Sequence, residues 1–390
     1  MCDYCDFYSI ASPHDDPRIK LFIKTIIADA EYLFAACKPQ RVPTMYIGGG
    51  TPSMLGSEGT QALLQGIFNV INRYAPPPTE VTIEANPESA SEAFLDAARK
   101  NGVTRLSLGI QSFHDPSRKA VHRVGHEQGS SLLHKSLSLA SAYFPNAFSA
   151  DLISGLPFQS EQILRNDIAA LLAYNPAHIS LYSLTVEDGT PLAKSSALQS
   201  LLPPVDEADH LWLYGRDTLE RQGFTQYEVS NFCKPCAESQ HNIRYWKMQS
   251  WLALGPGASA TIIDDDNENA MAEGFRYTIP HDIDASLQMH EGLIEKLDSA
   301  TLMKESFLMG FRYTEGPDEN LFRKRFHRTI GDCIPNTLET WRKRDLLQTD
   351  KTALNREGLL FLNAFLRNVF DELEKRHDEL MLLELSPFKT

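Results

Sequence analysis

Short apolar runs recur along the first 230 positions of the chain, and each is followed by Gly, Pro, Asn, Asp or Ser. The runs at Pro43–Ile47, Glu80–Glu84, Arg105–Gly109, Phe148–Ile153, His178–Leu184 and Gln226–Val229 read as strands. Between them, Gly59–Arg73, Ser91–Asn101, Ser130–Tyr143, Glu161–Tyr174 and Asp206–Gln222 carry apolar residues at helical spacing. Strands alternating with helices in this way predict βα units feeding a parallel sheet, and so an α/β fold. In such folds the loops after the strands converge on one end of the sheet, which makes polar residues at strand C-termini the first candidates for chemistry.

The pattern changes from about Leu293, where the periodicity becomes helical and charged. Phe311–Gly316 interrupts it, and Gly358–Val369 reads as a strongly apolar helix. The change predicts a core with its extension over residues 1–285 and a smaller, mainly helical C-terminal domain over 290–390. A chain of 390 residues accommodates both, since single cores seldom grow beyond roughly 250–300 residues. The acidic run Asp264–Asn269 lacks calcium-loop spacing and reads as a solvated turn. No repeat and no long low-complexity linker is present.

Composition narrows the function. The 37 Lys+Arg against 51 Asp+Glu leave a formal charge of −14, which repels nucleic acid and anionic lipid. Apolar runs such as Leu359–Leu362 fall far short of the ~20 residues of a membrane span, so no stable membrane insertion is expected. The first residues carry neither a basic nor an apolar signal segment, and a cytoplasmic location is expected. Six cysteines in such a chain point to metal or redox chemistry rather than a disulfide framework.

Two motifs carry the chemistry. Gly48-Gly49-Gly50-Thr51-Pro52-Ser53 closes an apolar strand, where it serves either as a backbone cradle for a ligand or as a tight βα turn with Ser53 or Ser57 capping the next helix. Cys2-x-x-Cys5 precedes the βα array, a placement that suits an iron–sulfur cluster but by itself also suits zinc or redox chemistry. A second pair, Cys233 and Cys236, has no further ligands at zinc-finger spacing and reads as incidental, while Cys37 and Cys333 read as structural.

Taken in order, these residues resemble the radical S-adenosylmethionine (SAM) superfamily. Cys2–Phe7 is similar to the last two thirds of its CxxxCxxC motif and Gly48–Ser53 to its glycine loop. Thr82–Pro87, Leu106–Phe113, Ala150–Pro157, Ser180–Leu184, Tyr227–Phe232, His241–Trp246 and Leu254–Ala258 extend the resemblance to the coproporphyrinogen-oxidase-like branch, over roughly residues 2–365. The resemblance implies an incomplete (β/α)6-type barrel and a [4Fe–4S] cluster that binds SAM through its fourth iron. It further implies that Cys2 and Cys5 ligate the cluster, that Gly49, Gly50 and Thr51 meet the methionine end of SAM, and that Glu84 accepts from its amine or ribose. Tyr4 would pack near the adenine, and Gln111, Arg123 and Asp151 would contact SAM or a second bound molecule. The alternative readings are a loop cap for Gln111 or Asp151 and a surface cation for Arg123. His241-Asn242-x-x-Tyr245 resembles the heme-binding motif of HemW-type heme chaperones, the other reading being a structural histidine.

Two departures bear on function. The first cysteine of CxxxCxxC would stand four positions before Cys2, outside the sequence; this reads as a misplaced start, the alternative being a scaffold that has lost its cluster. Asp6-Phe7 stands where the decarboxylating oxidases continue with a further cysteine, which favours the HemW-type chaperone. The expected function is therefore to bind a cluster, SAM and heme and to deliver heme to a heme-accepting protein, with an electron donor as a further partner. Whether SAM is cleaved is open. The alternatives are an oxygen-independent coproporphyrinogen III oxidase using a 5′-deoxyadenosyl radical and a cluster-free tetrapyrrole-binding protein.

Overall fold

Five strands lie side by side in parallel: β1 (Thr44–Ile47), β2 (Glu80–Ala85), β3 (Arg105–Gln111), β4 (Phe148–Ser154) and β5 (His178–Ser183). The structure, a computed structural model, describes residues 2–10, 13, 16–123, 129–265, 270–286 and 292–382. The strands are apolar almost throughout, and Val81, Ile83, Leu106, Leu108, Ile110, Ala150, Leu152, Ile179 and Leu181 are buried. Runs of this kind mark a parallel sheet with both faces removed from water. The helices Gly56–Ile71, Glu92–Lys100, Gly129–Tyr143, Glu161–Leu172 and Val205–Arg221 fall where the sequence predicts them and bury Leu64, Phe94, Leu137, Ile168 and Leu219 in the same core. Ser91 and Ser160 cap two of them, each accepting from the backbone N–H three residues on.

The sixth predicted strand differs. Residues 225–233 form two short strands, β6 (Thr225–Gln226) and β7 (Asn231–Cys233), with β7 antiparallel to both β5 and β6. Only residues 227–230 join them, and a parallel crossover needs a dozen or more residues. The sheet order is β1-β2-β3-β4-β5-β7-β6.

The chain divides into two compact units, residues 1–226 with 230–238 and residues 227–229 with 239–390. In the second, β8 (Ser259–Asp264), β9 (Glu273–Thr278) and β10 (Leu293–Leu297) form an antiparallel sheet. Helical spacing after Leu293 therefore begins only at Ser299, because Leu293–Leu297 is the partner strand of β9. The helices Ser299–Gly310, Glu319–Phe326, Pro335–Lys343 and Leu362–Lys375 close on Phe307, Phe311, Phe322, Phe326, Trp341 and Phe365, with the Phe311 and Phe365 rings 4.5 Å apart. Gly358–Phe361, expected to open the apolar helix, is a 3-10 turn ahead of it, where a Cβ on Gly358 would stand 2.1 Å from the Leu346 carbonyl oxygen. Asp265, expected in a solvated turn, receives the buried Arg325 guanidinium at 2.7 and 3.0 Å; Asp266–Asn269 lie outside the described residues. No described helix is long and apolar enough to cross a membrane.

Candidate functional site: the strand ends and the cysteine loop

The C-terminal ends of β1 to β5 carry most of the residues singled out in the sequence. On β1 the Tyr46 hydroxyl donates to Glu84 Oε1 at 2.6 Å, and the Gly49 N–H donates to Glu84 Oε2 at 3.0 Å. Both oxygens of Glu84 are thereby oriented. Burial raises its pKa, and these two donations only partly oppose the rise. Gly48 is obligatory, because a Cβ there would lie 2.5 Å from the Tyr46 ring and 2.6 Å from the Glu84 carboxyl carbon. Gly49, at φ +101°, and Gly50 have no atom within 4 Å of where a Cβ would stand. The glycine loop therefore presents bare backbone to open space beside an oriented carboxylate.

The cysteine loop is built onto the same unit. Cys2 is buried, Cys5 is half-buried, and the Cys5 N–H closes a turn on the Cys2 carbonyl at 3.2 Å. Tyr4 packs against the cluster of Val121, Ile153 and Leu156, and burial keeps its phenol protonated far above the usual range. Arg123 is buried: Nη1 lies 3.6 Å from Cys2 Sγ, while Nη2 donates to Asn86 Oδ1 and to the Gly109 carbonyl, each at 2.8 Å. Asn86 Nδ2 in turn donates to Thr51 Oγ1 at 3.1 Å. A continuous polar chain, Cys2–Arg123–Asn86–Thr51, thus joins the cysteine loop to the glycine loop. Arg123 is not a surface cation.

Gln111 ends β3 with a left-handed φ of +68°, at a slip in the β3–β4 register after Gly109. A Cβ on Gly109 would meet Arg123 Nη2 at 2.9 Å and Gln111 Nε2 at 3.0 Å, so the missing side chain is what lets those two groups approach. On β4, burial pushes the Asp151 carboxyl up to about 7, against the hydrogen bond from Ser180. Near neutrality it is a carboxyl poised between its two protonation states.

These donors fit the groups implied by the sequence. Two thiols share one loop, a guanidinium nitrogen stands 3.6 Å from Cys2 Sγ, and open backbone beside the Glu84 carboxyl, with Asp151 on β4, suits a zwitterionic ligand with an amine and a carboxylate. Burial raises the Cys5 thiol, so a metal has to displace its proton. Among the described residues no three Cys, His, Asp or Glu side chains gather into a ready-made metal site.

His241 and Tyr245 lie in the second unit, one turn apart on the helix Gln240–Trp246. Ser239 caps this helix through the Asn242 N–H. His241 Nε2 and the Tyr245 hydroxyl are 3.2 Å apart, and the rings meet edge to face at 5.0 Å. Trp251 continues the stack, edge to face with Tyr245 at 4.9 Å, and is anchored by its indole N–H on the Ser259 carbonyl at 2.7 Å. Burial, and then the charge of Arg244, pull His241 down to about 4, so the imidazole is neutral at pH 7 and keeps a lone pair for a metal.

Sequence reading missed Tyr46, Asn86 and Trp251. Tyr46 and Asn86 had a readable signal, since each stands at a strand end within two positions of Gly48 or Glu84. Of the second cysteine pair, Cys233 is buried and Cys236 exposed, and both are free thiols.

The parallel strands, the glycine loop and the leading cysteine loop define a radical-SAM-type protein. Residues 1–171 match the Radical SAM superfamily. The fold is similar to that of coproporphyrinogen III oxidase (HemN) from Escherichia coli, with a TM-score of 0.75 at 17% identity over 95% of this chain and 87% of the other. Heme chaperone HemW of E. coli strain K12 is 34% identical over 270 residues, covering 68% of each chain. Radical S-adenosyl methionine domain-containing protein 1, mitochondrial, of Mus musculus is 31% identical over 96% of this chain and 85% of its own. Heme chaperone HemW of Bacillus subtilis is 29% identical over 96% and 97%. The chain belongs to the HemW-type family of the radical SAM superfamily.

Proposed function

We propose that this protein is a heme chaperone: it binds a [4Fe–4S] cluster, SAM and heme, and delivers heme to a heme-accepting protein in the cytoplasm. The observation that carries the reading is the neutral His241 imidazole in edge-to-face contact with Tyr245, which meets Trp251 edge to face in turn, an arrangement that offers a metal ligand among aromatic rings. The chaperone names of the bacterial relatives support it.

In this reading Cys2 and Cys5 hold the cluster, which supplies the electron for reductive cleavage of SAM if turnover occurs. Gly49, Gly50 and Thr51 present backbone and hydroxyl groups to the methionine end of SAM, Glu84 accepts from its amine or ribose, and Tyr4 packs near the adenine. Gln111, Arg123 and Asp151 line the same region, Arg123 by linking Cys2 to Asn86 and Thr51. His241, with Asn242 and Tyr245 on the same turn, holds heme. An electron donor is the remaining partner. The domain division at 285–290 belongs to the same proposal, with the radical-SAM core and its extension ahead of a HemN-like C-terminal domain.

Anaerobic titration with heme tests the assignment. Wild-type protein is expected to show a saturable Soret shift and to pass heme to an apo-hemoprotein, and His241→Ala to lose affinity at least tenfold. Conversion of coproporphyrinogen III to protoporphyrinogen in the presence of SAM would overturn the chaperone reading in favour of an oxidase.

A further inference from the structure

The loop that carries the two cysteines is fastened by groups other than its thiols. Asp3, between Cys2 and Tyr4, is held at three points: its N–H donates to the Val121 carbonyl at 3.0 Å, its carbonyl accepts from Leu192 N–H at 2.9 Å, and its Oδ2 lies 2.6 Å from His122 Nδ1. His122 stands at φ +46°, a left-handed conformation that a side-chain-bearing residue keeps only where its surroundings hold it. It closes on the Lys119 carbonyl at 3.2 Å, and Arg123 closes on the Arg118 carbonyl at 2.9 Å. Consecutive side chains therefore grip consecutive residues: Arg123 reaches Cys2 and His122 reaches Asp3.

We propose that Asp3 and His122 form a latch, acting as positioning residues that fix the cysteine loop against the residue 118–123 segment and so set Cys2 beside the Arg123 guanidinium. The side chain of Asp3 is 12% exposed and that of His122 67%. An exposed ion pair contributes little, but here the carboxylate is largely removed from water and needs a donor. The strained φ of His122 places the ring where Nδ1 meets that carboxylate. The use of the latch rests on Cys2 and Cys5 being cluster ligands; the latch itself is a property of the metal-free chain, so iron and sulfide analysis and the experiment below fail separately.

The test is the alkylation rate of Cys2 by iodoacetamide in the metal-free, full chain, read by mass spectrometry with buried Cys333 and exposed Cys37 as internal references. His122→Gly relieves the backbone and removes the ring; Cys2 is expected to react about tenfold faster with Cys333 unchanged, as loss of one charge-assisted hydrogen bond shifts local opening. His122→Asn keeps a donor near the Nδ1 position and tolerates the left-handed backbone, so protection is expected to stay within about twofold of wild type. Asp3→Ala should match His122→Gly, and the double variant should add nothing. Wild-type protection of Cys2 in His122→Gly, multiplicative effects in the double variant, or equal exposure of Cys333 would each overturn the latch.

Discussion

At the scale of single residues, His241, Tyr245 and Tyr46 each have a measurable consequence for the proposed chemistry. The depressed pKa of His241 means that its protonated form appears only near pH 4. Heme affinity is therefore expected to be flat from pH 8 to about 5 and to fall as pH drops through 4, which a Soret titration across pH reads directly. The same shift links to stability: the unfolded histidine protonates near 6.5, so this contribution is present above about pH 6.5 and declines as pH falls toward 4. Tyr245 donates to, or shares a proton with, the nitrogen that heme iron would take. Tyr245→Phe should slow heme release measurably, because a departing iron then leaves His241 Nε2 without its internal partner; an unchanged dissociation rate would remove that role. In the first unit, Tyr46→Phe strips one donor from the half-buried Glu84. A loss of about 1 kcal/mol, or roughly fivefold in SAM affinity by calorimetric titration, is expected.

At the scale of elements, loops and caps place these residues. The β1 strand and its glycine loop form a single device, since Gly48 leaves room for both Tyr46 and Glu84. Gly48→Ala is expected to cost about 1–3 kcal/mol through overpacking and to abolish SAM binding, read by denaturant midpoint and titration. The helix Pro335–Lys343 begins at the Glu372 carboxylate, which accepts from Asn336 N–H at 2.9 Å and Thr337 N–H at 2.7 Å. Burial acts to raise the Glu372 pKa, yet these donations outweigh it and hold the carboxyl below its usual range. A lowered carboxylate pKa stabilises the fold above its unfolded value, near 4.3, and that stabilisation disappears as pH falls through the folded value. Glu372→Gln should flatten the acid limb of the stability curve of this helix, measured by hydrogen exchange.

At the scale of the whole molecule, two cores carry the fold: the strand and helix layers around Leu64, Leu108 and Ile179, and the aromatic cluster around Phe311, Trp341 and Phe365. Phe365→Ala in the second is expected to cost about 3–5 kcal/mol, seen first as lost amide protection in Ser299–Gly310 and Leu362–Lys375. The succession of apolar runs and helical stripes over the first 230 residues made the parallel strands and their helices legible, because a short continuous apolar run and a 3.6-residue stripe are both local properties. The three-stranded sheet was not legible: Leu293 and Ile294 are exposed, and β10 is a strand only by pairing with β9. A five-residue segment with no buried face until Leu297 carries no period of its own.

By itself the sequence determined the class of protein, the order of its βα units, and the residues that bear thiol, carboxylate and imidazole chemistry, since residue type and spacing set these. Tertiary structure alone decided which groups act together. Arg123 meets Cys2 across 121 positions, Tyr46 meets Glu84 across 38, and Asp3 meets His122 across 119. No local pattern encodes such pairs. They exist because the packed sheet brings distant loops to one end, where burial makes each polar group seek a partner and moves its pKa.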